Sequence, residues 1–125
     1  MTELQRELGN IKTYRDLLIW QKSMDLVTEV YSTTSTFPDS EKFGLTSQLR
    51  RSSVSIPANI AEGFGRNSPG DFKRFLNISM GSLFELQTEF EISKNLGLIS
   101  DEKFSRLYDS SREVERMMSS FISKI

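Results

Sequence analysis

Residues 48–63, Gln48-Leu49-Arg50-Arg51-Ser52-Ser53-Val54-Ser55-Ile56-Pro57-Ala58-Asn59-Ile60-Ala61-Glu62-Gly63, decide how this chain is read. Leu45, Leu49, Ile56 and Ile60 recur at helical spacing and share one face, so the stretch predicts a helix from about Glu41 to Gly63. Pro57 lies inside that pattern. An interior proline removes one backbone hydrogen bond, here the one to the Ser53 carbonyl, and clashes with the preceding turn at a cost of about 3 kcal/mol. Ending the helix before Pro57 would avoid the cost, but the spacing through Ile60 favours continuation. Polar residues also occur at every turn. A helix with an internal proline and so many polar groups needs neighbours that offset both.

Three further helices surround it. Leu17, Trp20, Met24, Val27 and Tyr31 form an apolar seam over about Asp16–Ser35, with Asp16 as N-cap. Phe37-Pro38-Asp39-Ser40 forms the turn that follows. Ser68-Pro69-Gly70-Asp71 opens a third helix, with Ser68 as N-cap and Pro69 at the first helical position, and Gly97 stops it. Phe72, Leu76, Met80, Leu83 and Phe90 make its main face. Ser100 caps a fourth helix whose apolar arc includes Phe104, Leu107, Val114, Met118 and Phe121. No stretch alternates with period two for long enough to be a strand. Short connections favour antiparallel neighbours, so the expected fold is all-α: an up-down-up-down four-helix bundle over residues 14–125, preceded by a weakly ordered arm at 1–13.

Composition narrows the chemistry. At 125 residues, 37% hydrophobic and 26% charged, the chain is a single globular domain. It has neither cysteine nor histidine. Disulfides, thiolate metal sites, Ser-His relays and the Glu-x-x-His pairs of di-iron bundles are therefore excluded. No apolar run approaches the ~20 residues of a membrane span. The expectation is a cytoplasmic protein with no membrane association, no enzymatic activity, no catalytic residues, no cofactor and no metal.

Helical-wheel positions at 100° per residue place Gln48, Arg51, Ser55, Asn59 and Glu62 on one stripe of the second helix. Ser79, Ser82, Glu85, Glu89 and Ser93 fall on one stripe of the third. Antiparallel packing predicts a polar seam of Gln48, Arg51, Asn59, Glu62, Ser82 and Glu85, with Arg51 paired to Glu85. Ser52, Ser53 and Ser55 are expected to bond back to the preceding turn.

A second set of apolar residues lies outside the main faces. Ile19, Leu26 and Val30 form a second face on the first helix. Val54, Ala58, Ala61, Ile78 and Phe84 are the candidate residues of a homo-oligomer interface, because a monomeric bundle needs only one apolar stripe per helix. Net charge is -1, yet residues 41–66 hold four basic residues against two acidic. Arg50, Arg66, Lys73 and Arg74 are the candidate nucleic-acid contacts, expected to converge near the start of the third helix, where a helix N-terminus favours anions.

The chain resembles a bacterial four-helix-bundle family. The resemblance rests on Tyr14-Arg15-Asp16-Leu17, Trp20-Gln21-Lys22, Phe37-Pro38, Glu41 and Gly44-Leu45. Gln48 to Gly63 is its hallmark, followed by Arg66, Phe75-Leu76 and Gly81-Ser82-Leu83-Phe84-Glu85-Leu86. The family includes proteins encoded in intervening sequences of large-subunit ribosomal RNA genes and is similar to the accessory variability protein of diversity-generating retroelements. The resemblance implies a homopentameric ring, with RNA, DNA or a reverse transcriptase as partners, and carries no catalytic residue. The expected function is an oligomeric scaffold of the intervening-sequence type that binds RNA or a ribonucleoprotein. The alternative is a protein-binding adaptor, for example for a reverse transcriptase, without direct nucleic-acid contact.

Overall fold

Serine hydroxyls cap the starts of the two C-terminal helices, and a glycine closes the turn between them. The computed structural model describes residue 6 and residues 8–125; the expected N-terminal arm falls partly outside these. From residue 8 on, the described residues form four α-helices in order: α1 (Leu18–Thr34), α2 (Leu45–Gly65), α3 (Pro69–Asn95) and α4 (Asp101–Ser123). No strand occurs among the described residues. Ser68 Oγ accepts from Asp71 N at 3.3 Å and Ser100 Oγ from Lys103 N at 3.0 Å, as the cap residues predict. At the end of α3, Gly97 takes φ 74, a left-handed conformation. There Leu98 N donates to Ser93 O at 2.9 Å and Gly97 N to Lys94 O at 3.0 Å, which closes the last turn.

The start of α1 differs from expectation. Asp16 is not its N-cap; the α-helix begins two residues later, after a 3-10 turn at Tyr14–Asp16. The Asp16 carboxylate accepts from Lys12 N at 3.0 Å and Thr13 N at 3.2 Å, while Thr13 Oγ1 accepts from Arg15 N, a reciprocal box around the turn. These two amide hydrogens hold the Asp16 carboxyl below its ordinary value.

The core face of α1 is also the reverse of the one the seam suggests. Ile19, Leu26 and Val30 are buried; of the expected seam Leu17 is buried, just before the helix, while Met24 and Tyr31 are exposed and Trp20 and Val27 half-buried. The inward stripe contains Ser23, whose hydroxyl donates to Ile19 O at 2.6 Å. That bond hides a polar group a periodicity argument counts against the stripe.

Helix α2 runs through Pro57 without a break, and Pro57 is buried. Paired residues on α2 and α3 fall in one as they rise in the other: Ser52 meets Glu89, Ser55 meets Ser82, and Ile56 meets Ser79. The two helices are therefore antiparallel. The same holds for α3 and α4, through Phe72–Phe121 and Gln87–Glu115. On α1 and α2, Arg50 bonds Thr34 at one end while Trp20 and Ala61 line one depression at the other. Helix α1 also meets α4, where Lys22 pairs with Glu113 at 3.1 Å, and the bundle closes. Its core is filled by Ile19, Leu49, Ile56, Ile60, Leu76, Leu83, Leu86 and Met118.

Gly63 lets α2 pack close against α3. A Cβ there would stand 2.6 Å from Phe75 Cβ and 3.3 Å from Phe72 Cδ1, so only glycine lets α2 approach α3 at that turn.

Candidate interaction surface around α2

The polar seam between α2 and α3 exists, but its members are smaller residues than expected. Ser55 Oγ and Ser82 Oγ lie 2.8 Å apart, and Asn59 Nδ2 donates to Ser55 Oγ at 2.9 Å and Ser55 O at 2.8 Å. Ser79 Oγ donates to Ile56 O at 2.8 Å across the interface. The expected Arg51–Glu85 pair does not form: both side chains are exposed and no ion pair joins them. Gln48 is likewise exposed, and Glu62 turns along its own helix to Arg66 at 3.3 Å. The physical reason is helix separation. Serines fit between closely packed helices, whereas long charged side chains reach water from the rim.

Below that rim, Glu89 is 9% exposed. Ser52 Oγ lies 2.5 Å from Glu89 Oε1 and 2.8 Å from Gln48 O. Burial pushes the Glu89 carboxyl above its ordinary value; the Ser52 hydrogen bond opposes this and the Glu85 charge adds to it. Ser52 and Ser53 bond back to the preceding turn, through Gln48 O and Arg50 O.

The four candidate basic residues do not converge as a set. Arg50 lies at the other end of α2 from Arg66, about 24 Å away at 1.5 Å per residue. Its Nε donates to Thr34 Oγ1 at 2.9 Å and its guanidinium sits 4.5 Å from the Tyr31 ring centroid. It ties α1 to α2. Arg66 and Arg74 do meet, both over the ring of Phe75, at 5.1 and 4.5 Å. Each also pairs with an acid, Glu62 at 3.3 Å and Asp71 at 3.7 Å. Lys73 is exposed beside them and shares a shallow depression with Arg74 and Ile78.

The candidate interface residues are divided between the flanks of α2. Val54, Ala58 and Ala61 line a groove on the α1 side with Trp20, Met24 and Phe75. Phe84 lines a second groove on the α3 side, with Gly81, Glu85, Glu89, Ile92 and Arg51. Val54, Ile78 and Phe84 are 42%, 44% and 47% exposed, so all three leave large apolar area in water. Sequence reasoning placed Trp20 and Met24 in the core and did not select them; their exposure follows from the reversed face of α1. It also passed over Phe43, which is 90% exposed in the α1–α2 connection. A phenylalanine between a charged residue and a glycine, outside any periodic stripe, was the available signal.

Residues 15–120 match the family model described as 23S rRNA-intervening sequence protein. The chain belongs to that family. The matched span covers α1 to α3 whole and α4 as far as residue 120. Among solved structures, the chain is similar to a protein of unknown function from the S23 ribosomal protein family of Bacteroides thetaiotaomicron VPI-5482. That match has 25% identity and a TM-score of 0.76, and it covers 84% of this chain and 98% of the other. No curated protein matches. No helix among the described residues is long and apolar enough to cross a membrane. As a member of the intervening-sequence family, the chain has a four-helix bundle with one groove on either side of its signature helix, apolar on the α1 side and mixed on the α3 side.

Proposed function

We propose that the protein is a non-enzymatic, self-assembling scaffold of the cytoplasm that presents repeated basic patches to RNA or to a ribonucleoprotein. The observation that carries the reading is the set of large apolar side chains left exposed on α2 and α3, Val54, Ile78, Phe84 and Ile92, each more than 40% exposed. Copies joined through these faces form a closed ring if the rotation closes, and the family resemblance points to five copies. Each copy then offers Arg66, Lys73 and Arg74 at the start of α3, and weak phosphate contacts gain strength by repetition. The readout is RNA binding by fluorescence anisotropy between about 50 and 200 mM salt. Phosphate contacts require affinity to fall steeply over that range. Lys73→Ala should make the salt slope shallower by about one for each phosphate no longer neutralised. Binding that ignores salt refutes the nucleic-acid role.

A second reading is a protein adaptor, with a reverse transcriptase as one candidate partner and no contact to RNA or DNA. It is favoured by the net charge of -1 and by the acids already paired with Arg66 and Arg74. Salt-insensitive capture of a protein partner through the grooves distinguishes it from the first.

A further inference from the structure

The α1–α2 connection carries an apolar knob that nothing in its own subunit covers. Phe43 is 90% exposed, whereas the next most exposed large apolar side chain among the described residues, Leu96, is 62%. Exposing a whole phenylalanine is unfavourable by roughly the transfer energy of a buried ring unless the ring is covered elsewhere. The knob is also rigidly mounted. Lys42 N donates to Asp39 O at 3.1 Å, Gly44 N to Glu41 O at 3.0 Å, and Leu45 N to the Glu41 carboxylate at 3.2 Å. The Lys42 ammonium lies 5.6 Å from the Phe43 ring centroid, so a cation and an aromatic ring project together. A preorganised projection loses little freedom when it docks.

The groove between α2 and α3 has the complementary chemistry. Its apolar walls are Phe84 and Ile92, 47% and 41% exposed. Thr88 lies between them, one turn from each, and at Gly81, a turn before Phe84, an added Cβ would meet nothing within 4 Å, so that end of the groove is open. Two acidic residues, Glu85 and Glu89, share the groove with one guanidinium, Arg51, so acidic groups outnumber basic ones along it. Lys42 makes no ion pair among the described residues. Phe43 cannot fill the groove of its own subunit, because it is almost wholly in water.

We infer that the groove between α2 and α3 receives the Lys42-Phe43 projection of a second copy of this chain. The ring packs between Phe84 and Ile92 over Thr88, and the ammonium meets Glu85 and Glu89. The contact rests on the self-assembly proposed above and goes beyond it by naming which two surfaces meet. Because knob and groove are different surfaces, each copy can give one and receive the other.

Light scattering after size exclusion, at about 10 μM, tests the contact with Phe43→Ser, which removes the knob, and Ile92→Lys, which blocks the groove. Both positions are exposed, so the helical far-UV circular dichroism should match the wild type. The wild type should show a multiple of 14.4 kDa and each variant a mass near 14.4 kDa. Self-association should weaken about ten- to a hundredfold, the range expected for losing one buried aromatic side chain. An equal mixture of the two variants should recover a pair, because one has an intact groove and the other an intact knob. A multimeric wild type with Phe43→Ser at the same mass, or a mixture that stays monomeric, overturns the contact and leaves self-assembly standing. A monomeric wild type removes both.

Discussion

Replacing Gly63 with alanine tests how tightly α2 sits against α3. The new methyl would lie 2.6 Å from Phe75 Cβ and 3.4 Å from Phe72 O, atoms that are fixed to the α3 backbone. Carbon atoms in contact prefer about 3.5–4.0 Å, so the helices must part by about 1 Å at that turn. Overpacking of this kind costs about 1–3 kcal/mol. Alanine's better helix propensity returns up to about 1 kcal/mol. The net expectation is a loss of about 1–2 kcal/mol, which in a domain of this size lowers the melting midpoint by roughly 3–12 °C. Gly65→Ala is the control. It lies two residues on in the same helix, is exposed, and its added Cβ meets nothing within 4 Å. There the midpoint should stay level or rise by a few degrees, a gain of up to about 1 kcal/mol. Thermal melts followed by circular dichroism, at matched protein concentration, give both numbers. A Gly63→Ala midpoint equal to or above that of Gly65→Ala refutes the close packing.

Two further substitutions separate structural roles from functional ones. Glu89→Gln should change stability with pH. The native carboxyl titrates above its ordinary value because of burial, so at low pH native and unfolded chains both hold the proton and the group contributes no difference. As pH rises past the ordinary glutamate range, about 4.3, the unfolded chain ionises first and native stability falls. The stability advantage of Glu89→Gln should therefore grow between about pH 4 and pH 7 in urea titrations; a constant difference contradicts the buried-acid account. Arg50→Ala should lower stability by about 1 kcal/mol, because the bond to Thr34 and the guanidinium over the Tyr31 ring both disappear, and should leave RNA affinity unchanged. A large loss of RNA affinity with normal stability would return Arg50 to the binding surface.

The helices were legible because their signals are local. Ser68-Pro69 at the start of α3, Gly97 at its end and Ser100 at the start of α4 each act within one turn. The continuation of α2 through Pro57 was legible from Ile56 and Ile60. Which face of α1 points inward was not, because two stripes of similar apolarity run along that helix. The choice depends on partners contributed by α2 and α4. Ser23 inside and Trp20 half outside reverse what hydropathy alone suggests.

The site was legible in its location more than in its members. Ser55, Asn59 and Ser82 lie on the predicted stripes and do bond across or along the seam. Arg51 and Glu85 lie on those stripes too, but a wheel projection has no radial coordinate. It cannot tell a residue at the helix contact from one at its rim. Arg50 was grouped with Arg66 by charge, though helical rise alone separates them by most of the length of α2. Phe43 belongs to no stripe, so only its exposure reveals it.

The exposed faces beside α2 must be covered by further copies of the same chain for the ring, the knob and the repeated basic patches to exist. Sedimentation equilibrium of the wild-type protein at micromolar concentration measures this without any variant, label or partner. A single species at a whole-number multiple of 14.4 kDa, five in a ring, is the predicted result. A species at 14.4 kDa across the concentration range would contradict the account.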